Sequence, residues 1–290
     1  MSRSWTLILG IAVIAAAGIG GAAWWQAGAE SIPIGEVSHV HGIAVDPKDS
    51  SRLYLATHYG LFHTSADGTA EQVSQNTNDY MGFTPHPTEA DVMYASGHPA
   101  GGGNMGVLVS RDGGRSWEQL ASGAGGPVDF HAMDVSRADP NVIYGLYGGI
   151  QVSRDGGESW SAAGAPQADV IDIAASAVSP DIVFAGTMSG VMISRDGGAT
   201  WEPTGPQGQP ASMVHTAPDG TVYAFIVGSG LVKSPGAALD WNPVSNGLGE
   251  RVLLHLAVNP ADPDSLFAVT DESELLASTD AGKTWQPLSS

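Results

Sequence analysis

The chain of 290 residues contains no cysteine. Disulfides, zinc–thiolate sites, iron–sulfur clusters and thiol nucleophiles are excluded together. Positive charge is scarce. Lys and Arg number 11 against 30 Asp and Glu, a formal net charge of -19. Phosphate binding needs a cationic surface, so nucleic acid is excluded as a partner, and docking on anionic lipid is disfavoured for the same reason. Charged residues make up only 14% and aromatics 7%. The hydrophobic fraction of 42% is still enough to bury a core, which excludes a disordered chain. Turn formers are plentiful: 39 Gly and 18 Pro point to many tight turns and few long helices.

The long apolar run lies at the N-terminus. Arg3 is the sole charge before Glu30, and residues 5–25 are almost wholly apolar or small. At a helical rise of ~1.5 Å the run spans ~31 Å, about one hydrocarbon core. A cleaved signal peptide has an apolar stretch of only ~7–15 residues. Trp24 and Trp25 also fall where an aromatic belt would lie, which favours an uncleaved membrane anchor. Ala27-Gly28-Ala29 has the small-x-small form of a cleavage site, so a cleaved signal peptide stays open. Both alternatives place the acidic domain outside the cytoplasm, at the cell membrane or secreted. The expected organisation is a targeting segment over 1–30, a linker over 31–35 and the working domain over 36–290.

That domain is repetitive. Ser-Arg-Asp-Gly-Gly-x-[Ser/Thr]-Trp occurs at 110–117, 153–160 and 194–201, and a fourth copy at 278–285 keeps the defining positions. Residues 234–241 keep only the Ser and Trp, and Ser65-Ala66-Asp67-Gly68 keeps the turn without the Trp. Successive starts are 40 to 45 residues apart. A period of ~40–50 residues built from short strands predicts propeller blades. Each repeat reads as a β-rich run such as His41-Gly42-Ile43-Ala44-Val45, a Pro turn, two further strands, the Ser-x-Asp turn and a short fourth strand. In the turn, Asp112, Asp155, Asp196 and Asp280 are placed to accept backbone N–H groups, and Gly supplies positive φ. Trp117, Trp160, Trp201 and Trp285 are placed to pack between strands.

These motifs resemble the Asp-box (BNR) repeat of sialidases, sortilin-type ectodomains, some endoglucanases and photosystem-assembly propellers. The resemblance covers about residues 36–290 and implies an all-β, six-bladed propeller of four-stranded blades behind one N-terminal hydrophobic helix. The segments around His39-Val40-His41, Tyr80-Met81-Gly82 and Asp129-Phe130-His131 are similar to an exported bacterial subgroup labelled sialidase-like or glycosyl hydrolase by homology. By that resemblance the start of each first strand and the loop between strands two and three share one face, here called the top. The Asp-box lies on the opposite face.

Aligned on their second strands, the blades put His41, Met81, His131 and Ile171 at one position and His39, Asp79, Asp129 and Asp169 two residues earlier. In the top loop His58 aligns with His98 and Met188, and Met105 lies in a glycine-rich insertion at 99–106. Strand alternation predicts that His39 and His41 point the same way. A candidate metal set follows: His39, His41, His58, Met81, His98, His131 and Met188. Imidazole and thioether without thiolate suit copper, and nearby carboxylates widen the choice of divalent metal. The alternative is a set of hydrogen-bonded polar residues around a wet channel, with Met as filler.

Enzymatic readings are weaker. The sialidase resemblance implies three Arg on the active face, but Arg111, Arg115, Arg154 and Arg195 sit in Asp-boxes and only Arg251 is placed on top. A different glycoside hydrolase could use Asp79 and Asp129, which occupy equivalent positions in adjacent blades. The sequence therefore leads to an exported propeller that handles copper. A protein-interaction scaffold and a non-sialidase glycosidase are the alternatives.

Overall fold

The computed structural model describes residues 31–245 and 248–288. The N-terminal anchor or signal expected over 1–30 lies outside the described residues. The domain is all-β, with six antiparallel sheets. Five have four strands taken in chain order, and the sixth has five. Each blade is thus one contiguous stretch of sequence, as the repeat spacing predicts. The innermost strands are Val40–Asp46, Asp79–Pro85, Ala132–Val135, Val170–Ala175, Ala211–Thr216 and Leu253–Val258.

The Asp-boxes form the same turn in four blades. In blade two, Asp112 Oδ1 accepts from Ser116 N and from Ser110 Oγ, each at 2.9 Å, and Ser110 Oγ accepts from Gly114 N at 2.9 Å. Trp117 Nε1 then donates to the Gly114 carbonyl. The pattern recurs at Asp155 and Trp160, at Asp196 and Trp201, and at Asp280 and Trp285. These bonds hold the Asp196 and Asp280 carboxyls down at about 2, led by the Thr200 and Thr284 hydroxyls. Gly114 has φ +86, and a Cβ there would lie 2.2 Å from Leu61 Cδ2, so only glycine fits.

The core is divided into six clusters, one at each joint between successive blades. Five of them receive a tryptophan of the following blade: Trp117, Trp160, Trp201, Trp241 and Trp285. Trp117 lies 5.0 Å from Tyr80, and Trp160 lies 4.8 Å from Phe130, ring centre to ring centre. Blade one has no Trp in its box. At the sixth joint, Ile34 and Val37 are buried with Ala257, Val269 and Leu275 of blade six, and Ile32 packs against them.

Ser31–Pro33, expected as a linker, forms the fifth strand of the first sheet, antiparallel to Thr69–Gln72 at its outer edge. The ring is therefore closed by side chains rather than by a strand shared between blades six and one. Two hydrogen bonds assist: His39 N to Ser273 Oγ at 3.1 Å and Asn259 Nδ2 to the Ser50 carbonyl at 3.4 Å.

Candidate metal centre

A β-bulge opens the inner strand of blade one. Val40 pairs with Thr57 and Gly42 with Ala56, which leaves His41 as the extra residue. Equivalent shifts leave Ile171, Ser212 and Leu254 unpaired in blades four, five and six. A bulge re-aims the side chain it inserts and breaks the period of two. His39 does not share a strand face with His41, contrary to the alternation argument, because it precedes the strand with φ 54 in the left-handed region. Both rings nevertheless reach His58, at 5.0 Å for His39 and 4.3 Å for His41.

His58 stands in the top loop of blade one, and its Nδ1 lies 2.6 Å from Asp79 Oδ2 on blade two. His41 Nε2 is 3.8 Å from Asp79 Oδ1. One ligand atom from each of His41, His58 and Asp79 lies within 4.8 Å of the other two, a spread a single ion could draw together. His41 Nε2 and Asp79 Oδ1 are both buried without a hydrogen-bond partner. Such orphaned groups are costly in a finished fold. Burial pushes the His41 imidazole below its ordinary value, more than the Asp79 carboxylate raises it.

The next joint also brings two imidazoles to one aspartate, here through a single carboxylate oxygen. His98 Nε2 and His131 Nε2 both approach Asp129 Oδ2, at 2.8 Å and 3.0 Å. The Asp129 side chain is only 4% exposed, and its Oδ1 is buried without a partner. His98 Nδ1 lies 2.8 Å from the Gly103 carbonyl in the glycine-rich insertion. That carbonyl, with Asp129, raises the His98 imidazole above its ordinary value. Asn104 anchors the insertion by donating to Tyr147 Oη and to the Pro127 carbonyl.

Backbone geometry fixes Asp79. Gly97, opposite Tyr80 in the ladder, has φ +129, and a Cβ there would lie 2.0 Å from the Asp79 carbonyl oxygen. Met81, aligned with His41 in sequence, is paired with Ser96, and the irregularity of blade two falls after it. Met188 is 54% exposed at its loop tip. Met105 packs instead against the cluster that contains Tyr80 and Met93. His63 pairs with Asp46 at 2.8 Å, and His86 approaches Glu89, both away from the top cluster. The top arginine, Arg251, is engaged by Glu274 through two contacts.

Below the histidines, the inner strands surround an axial channel of about 210 Å³. His255, His215, Asp134, Asp172 and Arg137 line it. His255 directly follows the bulge residue Leu254, and His215 lies three residues after the bulge residue Ser212, so neither occupies the position of His41. Burial pushes His215 down to about 3 and His255 down to about 4, the latter helped by His41. It raises Asp134 to about 6 and Asp172 to about 7. Asp172 accepts from Val214 N of the next blade at 2.9 Å, and Asp134 from Ala175 N at 2.8 Å.

The BNR/Asp-box repeat family matches residues 151–162 and 192–203, and the chain carries that repeat. No curated protein matches the sequence. Among solved structures, the GH74 xyloglucanase from Xanthomonas campestris is 22% identical with a TM-score of 0.57, covering 89% of this chain and 46% of that one. A GH74 enzyme from Niastella koreensis is 18% identical with a TM-score of 0.62, covering 90% and 46%. YCF48 bound to D1 peptide is 18% identical with a TM-score of 0.56, covering 89% and 84%. The chain spans less than half the length of the two GH74 structures. At these identities the likeness is one of fold.

Proposed function

We propose that this chain is an exported propeller whose top face binds a metal ion, copper foremost, in metal handling or tolerance. The observation that carries it is the pair of buried, unpartnered ligand atoms His41 Nε2 and Asp79 Oδ1, 3.8 Å apart beside His58. A cation between them would satisfy both. Neutral imidazoles and a carboxylate suit a divalent first-row ion, among which copper binds most tightly. Met81, the residue aligned with His41 in the neighbouring blade, would add the thioether that favours copper further. Location outside the cytoplasm rests on the apolar run at residues 5–25.

The test is thermal unfolding of the purified full chain with and without cupric ion in a non-coordinating buffer. Binding to the folded state alone adds ~2.7 kcal/mol at a hundredfold excess over Kd, so the melting temperature should rise. A His41→Ala/His58→Ala variant should show a smaller rise than the wild type, and His86→Ala should keep the full rise. No rise in the wild type, or equal loss in the His86 control, would overturn the proposal.

A second reading, a protein-docking scaffold, is favoured by Tyr59, Tyr147 and Met188, which are 58%, 42% and 54% exposed at top-loop tips. Replacing all three by Ser should abolish photo-crosslinking to one defined polypeptide while metal uptake is unchanged. The glycosidase reading is supported least, because Asp79 and Asp129 are each approached by two imidazoles rather than open to a substrate.

A further inference from the structure

The two carboxylates stand in equivalent backbone positions, and so do the groups around them. At the joint of blades one and two, a top-loop histidine (His58) meets the aspartate that enters the next blade (Asp79). At the joint of blades two and three, His98 meets Asp129, through Nε2 rather than Nδ1. The aligned positions at the head of the inner strands of blades one, two and three hold His41, Met81 and His131 in order: His41 is the bulge residue, Met81 pairs with Ser96, and the His131 backbone N–H donates to the Leu146 carbonyl just ahead of its strand. Each joint is flanked by two of them, His41 and Met81 at the first, Met81 and His131 at the second.

We infer that the top face carries two metal seats in tandem, one blade apart: His41, His58 and Asp79, then His98, Asp129 and His131, with Met81 standing between them. This rests on the metal-binding reading above and divides what that reading treats as one cluster.

Two observations at the second joint support a separate seat. The first is Asp129 Oδ1, buried and without a partner although Oδ2 faces two imidazoles. The second is His98 itself. Its Nδ1 faces the Gly103 carbonyl, which can only accept, so Nδ1 carries the proton. A neutral ring then turns the lone pair of Nε2 toward Asp129. A ligating histidine is commonly held in this way, with the far N–H on a backbone carbonyl and the near nitrogen free for the ion.

The series ends at the third joint. Blade three offers Tyr147 and Gly148 in its top loop, and the bulge residue of blade four is Ile171. Asp169 is the aspartate equivalent there, but its exposed side chain has no imidazole beside it among the described residues. Two seats, and not a full ring, is therefore the number the sequence supports.

Calorimetric titration of the metal-free full chain with cupric ion, checked by elemental analysis after desalting, tests the inference. The expected result is two equivalents per chain for the wild type and one each for Asp79→Asn/His58→Ala and Asp129→Asn/His98→Ala. Circular dichroism confirms that each variant is folded. One equivalent in the wild type, unchanged by the Asp129 variant, would overturn the second seat and leave the metal-binding reading intact. Loss of all uptake in either folded variant would show one composite site and overturn the tandem. No uptake by the wild type would overturn both readings.

Discussion

His58 and Asp79 come from different blades, yet the imidazole Nδ1 sits 2.6 Å from the carboxylate Oδ2. The pair spans the joint of blades one and two, where His41 also approaches Asp79 and Lys48 meets Asp91. It therefore makes the geometry of the top face depend on how blades one and two are packed.

That dependence can be tested without touching a ligand. Gly97→Ala drives a methyl against the Asp79 carbonyl, 2.0 Å away, at a φ that alanine adopts only with strain. Displacing a group that positions a ligand typically costs 10–100-fold in metal affinity, so cupric uptake at the first joint should weaken by about tenfold or more. Ser51→Ala, an exposed change away from the face, should leave it alone. Equal affinities of Gly97→Ala and wild type would contradict the argument.

The channel acid Asp172 predicts an unusual pH response. Burial lifts its folded pKa to about 7, above the unfolded value of 3.8. The folded state then holds a proton that the unfolded state has released, so this group adds stability as pH falls from about 7 toward 4. Asp172→Asn removes the response. Discounted for channel water, the wild type should gain roughly 1–2 kcal/mol relative to the variant between pH 8 and pH 4. Urea unfolding at both pH values reads it. His215, pushed down to about 3, acts in the opposite sense, since its unfolded form gains a proton below about 6.5. His215→Gln should therefore steepen the acid gain.

The Asp-box turns should matter unequally by atom. Ser153→Ala leaves Gly157 N without its buried acceptor and should cost about 1–3 kcal/mol. Trp160→Ala empties the joint against Phe130 and should cost about 2–4 kcal/mol, while Trp160→Phe recovers part of it. The carboxylates Asp196 and Asp280, held at about 2, keep their contribution above the unfolded pKa of about 3.8. They lose it only as pH falls through their folded values, so these turns should persist into acid. Amide exchange at Thr200 and Thr284 between pH 6 and pH 3 would reveal early loss of the turns if this is wrong.

The apolar run at residues 5–25 predicts that the protein fractionates with membranes and that its propeller is cut by protease added outside the cytoplasm. A soluble mature form starting near Glu30 would show instead that Ala27-Gly28-Ala29 is a cleavage site.

Much of the fold was legible because each blade is one contiguous repeat, marked by a turn whose residue types are dictated by its hydrogen bonds. The pairing of His58 with Asp79 and of His98 with Asp129 was also within reach, since equal offsets from the second strand put them at equivalent heights. What alignment could not supply was the local shift in register. The bulge at His41 separates its direction from that of His39, and a separate bulge at Leu254 precedes His255, although in letters both strands read as plain alternation. Met188, whose position aligns with His58, is 54% exposed, which alignment does not convey either. The closing joint was hidden for another reason. Ile34 and Val37 replace a tryptophan with side chains from outside the repeat, and no periodicity announces them.

That substitution bears on how the protein comes apart. An open stack of blades loses stability gradually as end units fray. A ring cannot fray while its last joint holds, because every blade has a neighbour on each side. Here the last joint unites Ile32, Ile34 and Val37 with the final blade. Deleting residues 31–37 removes few hydrogen bonds, but it bares two apolar faces at once. The whole ring should then pass from one cooperative unit to a chain of blades that unzips from a single exposed seam.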